Sequence, residues 1–545
     1  RGFIALQQHR LPQSAADFRQ SLTINSQQPF AHKMLGIVLG AMGQFEASMQ
    51  AFATALRLDA KDPEVYFNRA NFQFQAGQAQ EALADLDAAI KLRGSYLEAR
   101  SNRANLLMIQ QDYSRAEKDL LYLTDKMKNN PDLWVALGLA QHKLGKSKEA
   151  LICNEKALRL VPQHLDALIN SSSIAFDQER FDVAATWARK ALAVKADKAE
   201  AHYALANALF ELGELVGAVL AYTHAIELKP DYPEAFMGRG RAKASLRDMV
   251  GSAQDYDQAI KLKPDYDDAV FNKSYMLLEQ HEFSEGWQGY DYRLRFPKFK
   301  DSLLPQLPVW QGGSLDGALL VRGEQGLGDQ LLFSSTLPDL LEMHPQVIVQ
   351  VEKRLVSLLQ RSFPTCMVLP KTEKKPDDVV AQVPLGSLPK FFRLSVADFT
   401  NAKIPYLKAD AEQTAAFKKV LAPNGEKIIG VNWRSLKNRF EREKSIQLAD
   451  LAPLFNLPGS VFVNLQYGDT TAEVAAAAAQ GIQFSDVGQI DLTNDIDAVA
   501  SLVNACDLIV SVSNSTAHIA GGLGKQVLLM LPYRIGKLWY WSEAK

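Results

Sequence analysis

Cysteine is scarce in this sequence. Cys153, Cys366 and Cys506 are the only three in 545 residues, and they lie far apart with no metal-ligand spacing between them. That usage fits a reducing compartment and reads as three core residues. Long apolar runs are missing too: none approaches the roughly 18 residues of a membrane span, and no signal-like segment opens the chain. A cytoplasmic protein without a membrane span is expected. The chain opens on Arg1 and stops at Lys545, so a leader or a C-terminal extension stays open. Charge of one sign is not in excess, since 60 Lys+Arg against 62 Asp+Glu leave −2. This argues against nucleic acid or an anionic membrane as a global partner.

What is present is length and repetition. The chain exceeds one core and suggests roughly three or four domain-sized units. Over residues 1–296 a step of 34 residues lands on matching residue types. Ala55, Ala89, Ala157, Ala191, Ala225 and Ala259 share one column, with Leu123 as its exception; Gly43, Gly77, Gly145 and Gly213 share a second; Phe18, Phe52, Tyr222 and Tyr256 share a third. Pro230 and Pro264 close two units at the same place. Small residues let paired helices approach, aromatics fill the space between pairs, and glycine permits the turn between them. The pattern resembles the tetratricopeptide repeat. Seven full units begin at Pro29, Pro63, Leu97, Pro131, Leu165, Ala199 and Pro233, between a partial first unit and a divergent last one from Asp267 to about residue 296.

Asparagine recurs where such an array would present its inner face. Asn68, Asn102, Asn170 and Asn272 stand at the sixth position of the repeat, and Asn71, Asn105 and Asn207 at the ninth. Positions three apart share a helix face, and asparagine is a mediocre helix former. A side-chain amide both donates to and accepts from a peptide bond, so these residues suit a ladder that holds an extended chain without reading its sequence. The pattern is similar to the asparagine ladder of O-linked N-acetylglucosamine transferase. The other reading, that they cap or bridge neighbouring helices, stands beside it. Met34, Ala136, Ala204 and Gly238 interrupt the column.

Between residues 297 and 317 the register is lost in a polar linker punctuated by Pro305, Pro308, Gly312 and Gly313. An apolar strand at 318–321 then runs through Gly323, Glu324, Gln325, Gly326, Leu327 and Gly328 into Asp329, where a helix is expected. The glycines Gly323, Gly326 and Gly328 are expected to let the backbone turn sharply and a ligand approach closely. Their spacing is not Gly-x-Gly-x-x-Gly and no Walker lysine follows, so hydride transfer and phosphate-loop hydrolysis are poor readings. Further strands are expected at 347–351, 367–369 and 379–383, with 405–407 as a crossing linker.

A second α/β unit opens at residue 427 with a strand over 428–433. A basic loop follows with Arg434, Lys437, Arg439, Arg442 and Lys444, cations suited to a diphosphate leaving group. Strands are expected at 461–465, 508–512 and 527–531. The second of these delivers Ser513, Asn514, Ser515 and Thr516 to a helix start with His518 one turn in, an arrangement that suits phosphate.

The stretch from Trp310 to Asp329 resembles bacterial proteins that join tetratricopeptide repeats to a domain similar to the lipopolysaccharide heptosyltransferases. The resemblance implies an α-solenoid at 1–296, a linker at 297–317, and two Rossmann-like halves at 318–409 and 410–545, the GT-B glycosyltransferase fold. It implies an inverting, metal-independent transfer of a sugar from a nucleotide-sugar donor, which is co-substrate rather than cofactor. Asp329 matches the proposed catalytic base, with Gln325, Gly326 and Gly328 in its turn. Arg434, Lys444, Asn514, Ser515, Thr516 and His518 fall on the donor side. Ser513 replaces the family's aspartate, which keeps open a scaffold whose transferase domain is degenerate. The implied acceptor is a Ser or Thr of a protein, flagellin-like, held on the repeats by the asparagines. The Asp-x-Asp pairs at 85/87, 255/257, 265/267 and 495/497 sit away from strand ends, so no metal is expected.

Overall fold

A computed structural model of the chain describes residues 1–375, 377–435, 444–532 and 540. Two units emerge, Arg1–Lys229 and Pro230–Lys545. The expected boundaries at 297–317 and 409/410 therefore both fall inside the second unit.

The first unit is all helical. From Pro29–Ala41 and Phe45–Leu58 to Ala199–Glu211 and Leu215–Leu228, each repeat pairs a 13-residue helix with a 14-residue one, and every first helix begins at the expected residue. The alanine column is fully buried, with Ala55, Ala89, Ala157 and Ala191 at 0 % exposure. The turn between the paired helices uses one left-handed residue at each 34-residue step. It is glycine at 43, 77, 145 and 213, but His9, Gln111, Glu179, Arg247 and His281 in the others, with φ between 55° and 67°. Buried ion pairs recur at the same interval. The Arg69 guanidinium grips Asp85, and that of Arg103 grips Asp119, each by two bonds of 2.6–2.7 Å.

The second unit starts with helices Pro233–Ser245, Met249–Leu262, Asp267–Glu279 and Phe283–Tyr290, followed by 3-10 turns at Asp291–Arg295 and Pro297–Ser302. Two parallel four-stranded sheets follow. In the first, β1 (Ala318–Arg322), β2 (Val347–Val351), β3 (Met367–Pro370) and β4 (Val379–Pro384) lie in the order β3-β2-β1-β4. In the second, β5 (Lys427–Val431), β6 (Ser460–Asn464), β7 (Leu508–Val512) and β8 (Gln526–Met530) lie in the order β6-β5-β7-β8. Each chain path leaves the first strand of its sheet in one direction and returns on its other side. This creates a crevice beyond the carboxyl ends of β1 and β4, and another beyond β5 and β7, where open α/β sheets bind ligands.

The expected linker is packed rather than free. Val309 bridges to Gln382 of β4, the Trp310 amide donates to the Gln382 carbonyl at 2.8 Å, and Trp310 is buried. The Gln382 side chain donates to the Leu304 and Leu307 carbonyls and accepts from the Leu304 amide. Residues 405–407 do cross between the halves. The Tyr406 and Leu407 amides both donate to the Gly522 carbonyl, and the Tyr406 hydroxyl donates to the Leu331 carbonyl. One apolar cluster continues from Trp287 and Tyr290 through Val321 and Leu331 to Leu407, Val499 and Ile519.

Candidate functional site

A buried charge network that the sequence did not reveal sits just past the carboxyl ends of β1 and β4, at the base of the first crevice. Glu324 follows β1 and meets Arg293 from the 3-10 turn at 2.6 Å, both side chains being 1 % exposed. Arg293 also donates to Ser387 and Asp291, and Glu324 accepts from the Gly386 amide after β4. A Cβ on Gly386 would sit 2.6 Å from the Glu324 carboxylate. The Gln325 side chain bonds the Tyr290 hydroxyl at 3.2 Å. Together these contacts fix the chain from 324 to 326 on three sides.

The glycine turn has a different cause from the one its sequence suggested. Gly323, Gly326 and Gly328 are absent from the left-handed glycines of the described chain. Space is the reason at two of them. A Cβ on Gly323 would lie 2.4 Å from Oε1 of Gln330, which folds back to bond the Gln325 carbonyl and the Glu352 amide. A Cβ on Gly328 would lie 2.9 Å from the imidazole of His518. The helix is Leu327–Phe333 with Gly326 as its N-cap, so Asp329 is in the first turn and does not cap it. The half-buried Asp329 carboxylate accepts from the Tyr540 hydroxyl. Burial, then that carboxylate, holds the Tyr540 phenol well above its ordinary range.

The second crevice is organised by Asn432, fully buried just past β5. Its amide donates to the Leu465 carbonyl at 3.0 Å and to the Thr516 hydroxyl at 3.4 Å, and its oxygen accepts from Asn514. Asn514 is the N-cap of the Ser515–Gly522 helix, accepting from the Ala517 amide. Gln466, also buried, accepts from the Trp433 and Arg434 amides. Asn514 and Thr516 are thus held by protein partners, while Ser515 at the helix start is partly exposed. The Arg434 guanidinium bonds the Asp469 carbonyl at 2.8 Å and pairs with Glu473 at 3.3 Å. Lys444 is buried at 7 % exposure; its neighbours Ser445 and Ile446 run beside Ser435 and Trp433. Lys437, Arg439 and Arg442 lie outside the described residues.

The two crevices meet at Gly328 and His518. His518 also packs edge-on against Tyr540, with ring centroids 5.3 Å apart, so Asp329, Tyr540 and His518 form one group. Arg361 clasps Asp497 through two bonds of 2.5 and 2.6 Å, and Asp495 caps the Ile496–Ala505 helix. Of the last Asp-x-Asp pair, Asp497 thus ties its helix to the one that carries Arg361, and Asp495 serves its own helix. Among the described residues no group of three or more His, Cys, Asp or Glu is placed to hold a metal ion, and no helix is long and apolar enough to cross a membrane.

The asparagines divide by partner. Asn68 and Asn272 donate to the carbonyls of Glu64 and Asp268 in their own helices, each at 2.7 Å. Asn102 donates to Asn71 in the preceding repeat at 2.7 Å, and Asn207 accepts from the Tyr222 hydroxyl at 2.6 Å. Asn105 is exposed and Asn170 half-buried.

Comparison with known proteins identifies the repeats. Residues 33–96 and 101–164 match the family described as Tetratricopeptide repeat, and residues 206–246 the one described as TPR repeat. Protein FlbA of Caulobacter vibrioides is 28% identical over 479 residues, covering 77% of this chain and 80% of FlbA. That span is longer than the repeats alone and so reaches into the α/β region. The human Protein O-mannosyl-transferase TMTC3 is 31% identical over 122 residues, 22% of this chain and 13% of that protein. Among solved structures, a tetratricopeptide repeat protein from Parabacteroides merdae aligns at 15% identity and TM-score 0.39 over 44% of this chain and 96% of its own.

Proposed function

We propose that this tetratricopeptide-repeat protein is a glycosyltransferase of GT-B architecture that moves a sugar from a nucleotide-sugar donor to a Ser or Thr hydroxyl of a protein held by its repeats. The observation that carries the reading is the packing of His518 on Gly328. It sets the helix start of the second crevice beside the Asp329 carboxylate, so a donor in one crevice would meet an acceptor activated from the other.

In this reaction the acceptor hydroxyl gives its proton to Asp329 as its oxygen bonds to the anomeric carbon from the face opposite the diphosphate. The carbon–oxygen bond to the diphosphate breaks, and its electron pair leaves on the nucleoside diphosphate, inverting the centre. A positioned carboxylate contributes about 10²–10⁴-fold to such a step. Lys444, the Ser515 hydroxyl and the amides that open the Ser515–Gly522 helix are the groups suited to the charge growing on the leaving group. Tyr540 orients Asp329 until the acceptor displaces its hydroxyl. The similarity to FlbA over both regions supports a joint role for repeats and α/β region.

A second reading is a protein-binding scaffold with a silent α/β region. It is favoured by Ser513 in place of the family's aspartate and by the pairing of Arg434 with Glu473. Calorimetric titration with UDP, GDP, ADP, CMP and dTDP, with chelator present, separates the two. The transferase reading expects one nucleotide to bind, and His518→Ala to weaken it at least tenfold, about 1.4 kcal/mol. Absence of binding by all five favours the scaffold.

A further inference from the structure

One turn along the helix from Asp329, its neighbours on the same face, Leu332 and Phe333, line a cavity of about 180 Å³. The other walls include Phe283, Trp287, Val396, Phe399 and Tyr540. The Phe283 and Phe399 rings meet at a tilt of 40° with centroids 4.7 Å apart. Three of the polar side chains at its edge are already committed. The Trp287 indole donates to the Arg393 carbonyl at 2.7 Å, the Arg393 guanidinium bonds the Ser335 carbonyl and Asp339, and the Thr336 hydroxyl donates to the Phe333 carbonyl. An apolar guest therefore displaces none of these hydrogen bonds.

Size selects the guest. An apolar cavity of about 150 Å³ stays dry and takes a benzene ring, so this one has room for a single aromatic side chain. Tyr540 belongs both to its wall and to Asp329, and one helical turn is about 5.4 Å. In an extended chain that is the reach from one residue to the next or next but one, at about 3.3 Å per residue.

We propose that this cavity is a specificity pocket for an aromatic side chain lying within two residues of the accepting Ser or Thr. The assignment of that hydroxyl to Asp329 rests on the transferase reading; the pocket itself is testable without turnover. Saturation-transfer NMR would compare the acetylated, amidated peptides Phe-Ala-Ser-Ala-Ala and Ala-Ala-Ser-Ala-Phe with Ala-Ala-Ser-Ala-Ala.

The expected result is strong transfer to the ring protons with wild-type protein. It should fall at least fivefold in Val396→Trp, at a rim position 52 % exposed, and in Leu332→Trp, which fills the cavity from within. Absence of transfer to the ring in wild type, or undiminished transfer in a folded Val396→Trp, overturns the pocket. Nucleotide titration of the same samples keeps the two readings apart. Ring contact without nucleotide binding upholds the pocket and removes the transferase, whereas nucleotide binding without ring contact overturns the pocket alone.

Discussion

The missing Cβ of Gly328 would lie 2.9 Å from Cδ2 and 3.4 Å from Nε2 of His518. The imidazole of one α/β half thus uses space that any side chain on the other would take. His518 is buried between Gly328 and Tyr540, so it has little room to retreat. Gly328→Ala is expected to displace the ring by a few tenths of an ångström; under the proposed transferase reading this weakens nucleotide binding and transfer about tenfold, or roughly 1.4 kcal/mol. Titration and initial rates on the one variant measure both.

Arg293 and Glu324 test the buried network. Removing one partner of a buried ion pair leaves an uncompensated charge and costs about 3–5 kcal/mol, while replacing both by apolar groups is often close to neutral. Glu324→Leu and Arg293→Met are each expected to lower the urea midpoint strongly. The double variant Arg293→Met with Glu324→Leu should lose less than either alone. Additive losses would mean that the two side chains act independently.

Five turns carry avoidable strain, three of them inside the seven full repeats. Gln111, Glu179 and Arg247 adopt φ of 61°, 58° and 67° at the column where other repeats have glycine. Left-handed backbone costs a non-glycine residue about 1–2 kcal/mol, and glycine gives back about 0.5–1 kcal/mol through its greater freedom in the unfolded chain. Gln111→Gly, Glu179→Gly and Arg247→Gly should each stabilise by a few tenths to about 1 kcal/mol. Thermal melts of the single and triple variants read this directly.

His142 gives the first unit an acid-sensitive group. Burial lowers its folded pKa, with Asp177, 3.2 Å away, opposing the shift. A depressed folded value means that the unfolded chain binds the proton more readily. The stabilisation from the neutral ring is present above the unfolded value near 6.5 and fades as pH falls below it. Urea midpoints between pH 7.5 and 5 should decline less steeply in His142→Gln than in wild type.

The repeat was legible because 34-residue periodicity puts the same demand on the same column, and the strands at 347–351 and 508–512 were legible as bounded apolar runs. Placement of the site was legible only in part. Asp329 and His518 carried local signals, yet nothing in sequence tied them together, because the tie is the absence of a side chain at Gly328. Arg293 and Glu324 are 31 residues apart, and Asn432 and Asn514 are 82 apart. Each is a lone polar residue whose meaning depends on a distant partner. The Arg69–Asp85, Arg103–Asp119 and Arg239–Asp255 pairs were readable but unread. Where leucine replaces the arginine, at Leu35, Leu137 and Leu205, a small residue replaces the aspartate, at Ala51, Cys153 and Ala221. Asn514, a donor-side candidate by sequence, also caps a helix, a role that only its geometry displays.

The unit boundary at Lys229 bears on how such a protein can be inherited. Arg293, Tyr290 and Trp287 belong to the end of the repeat array, yet their partners Glu324, Gln325 and Arg393 belong to the α/β region. Recombination near residue 317 would break all three contacts, whereas duplication or loss of whole repeats before Pro230 would break none. Exchange of whole repeats before Pro230 thus leaves these contacts untouched, while the last repeats and the sheets form one block that must change together.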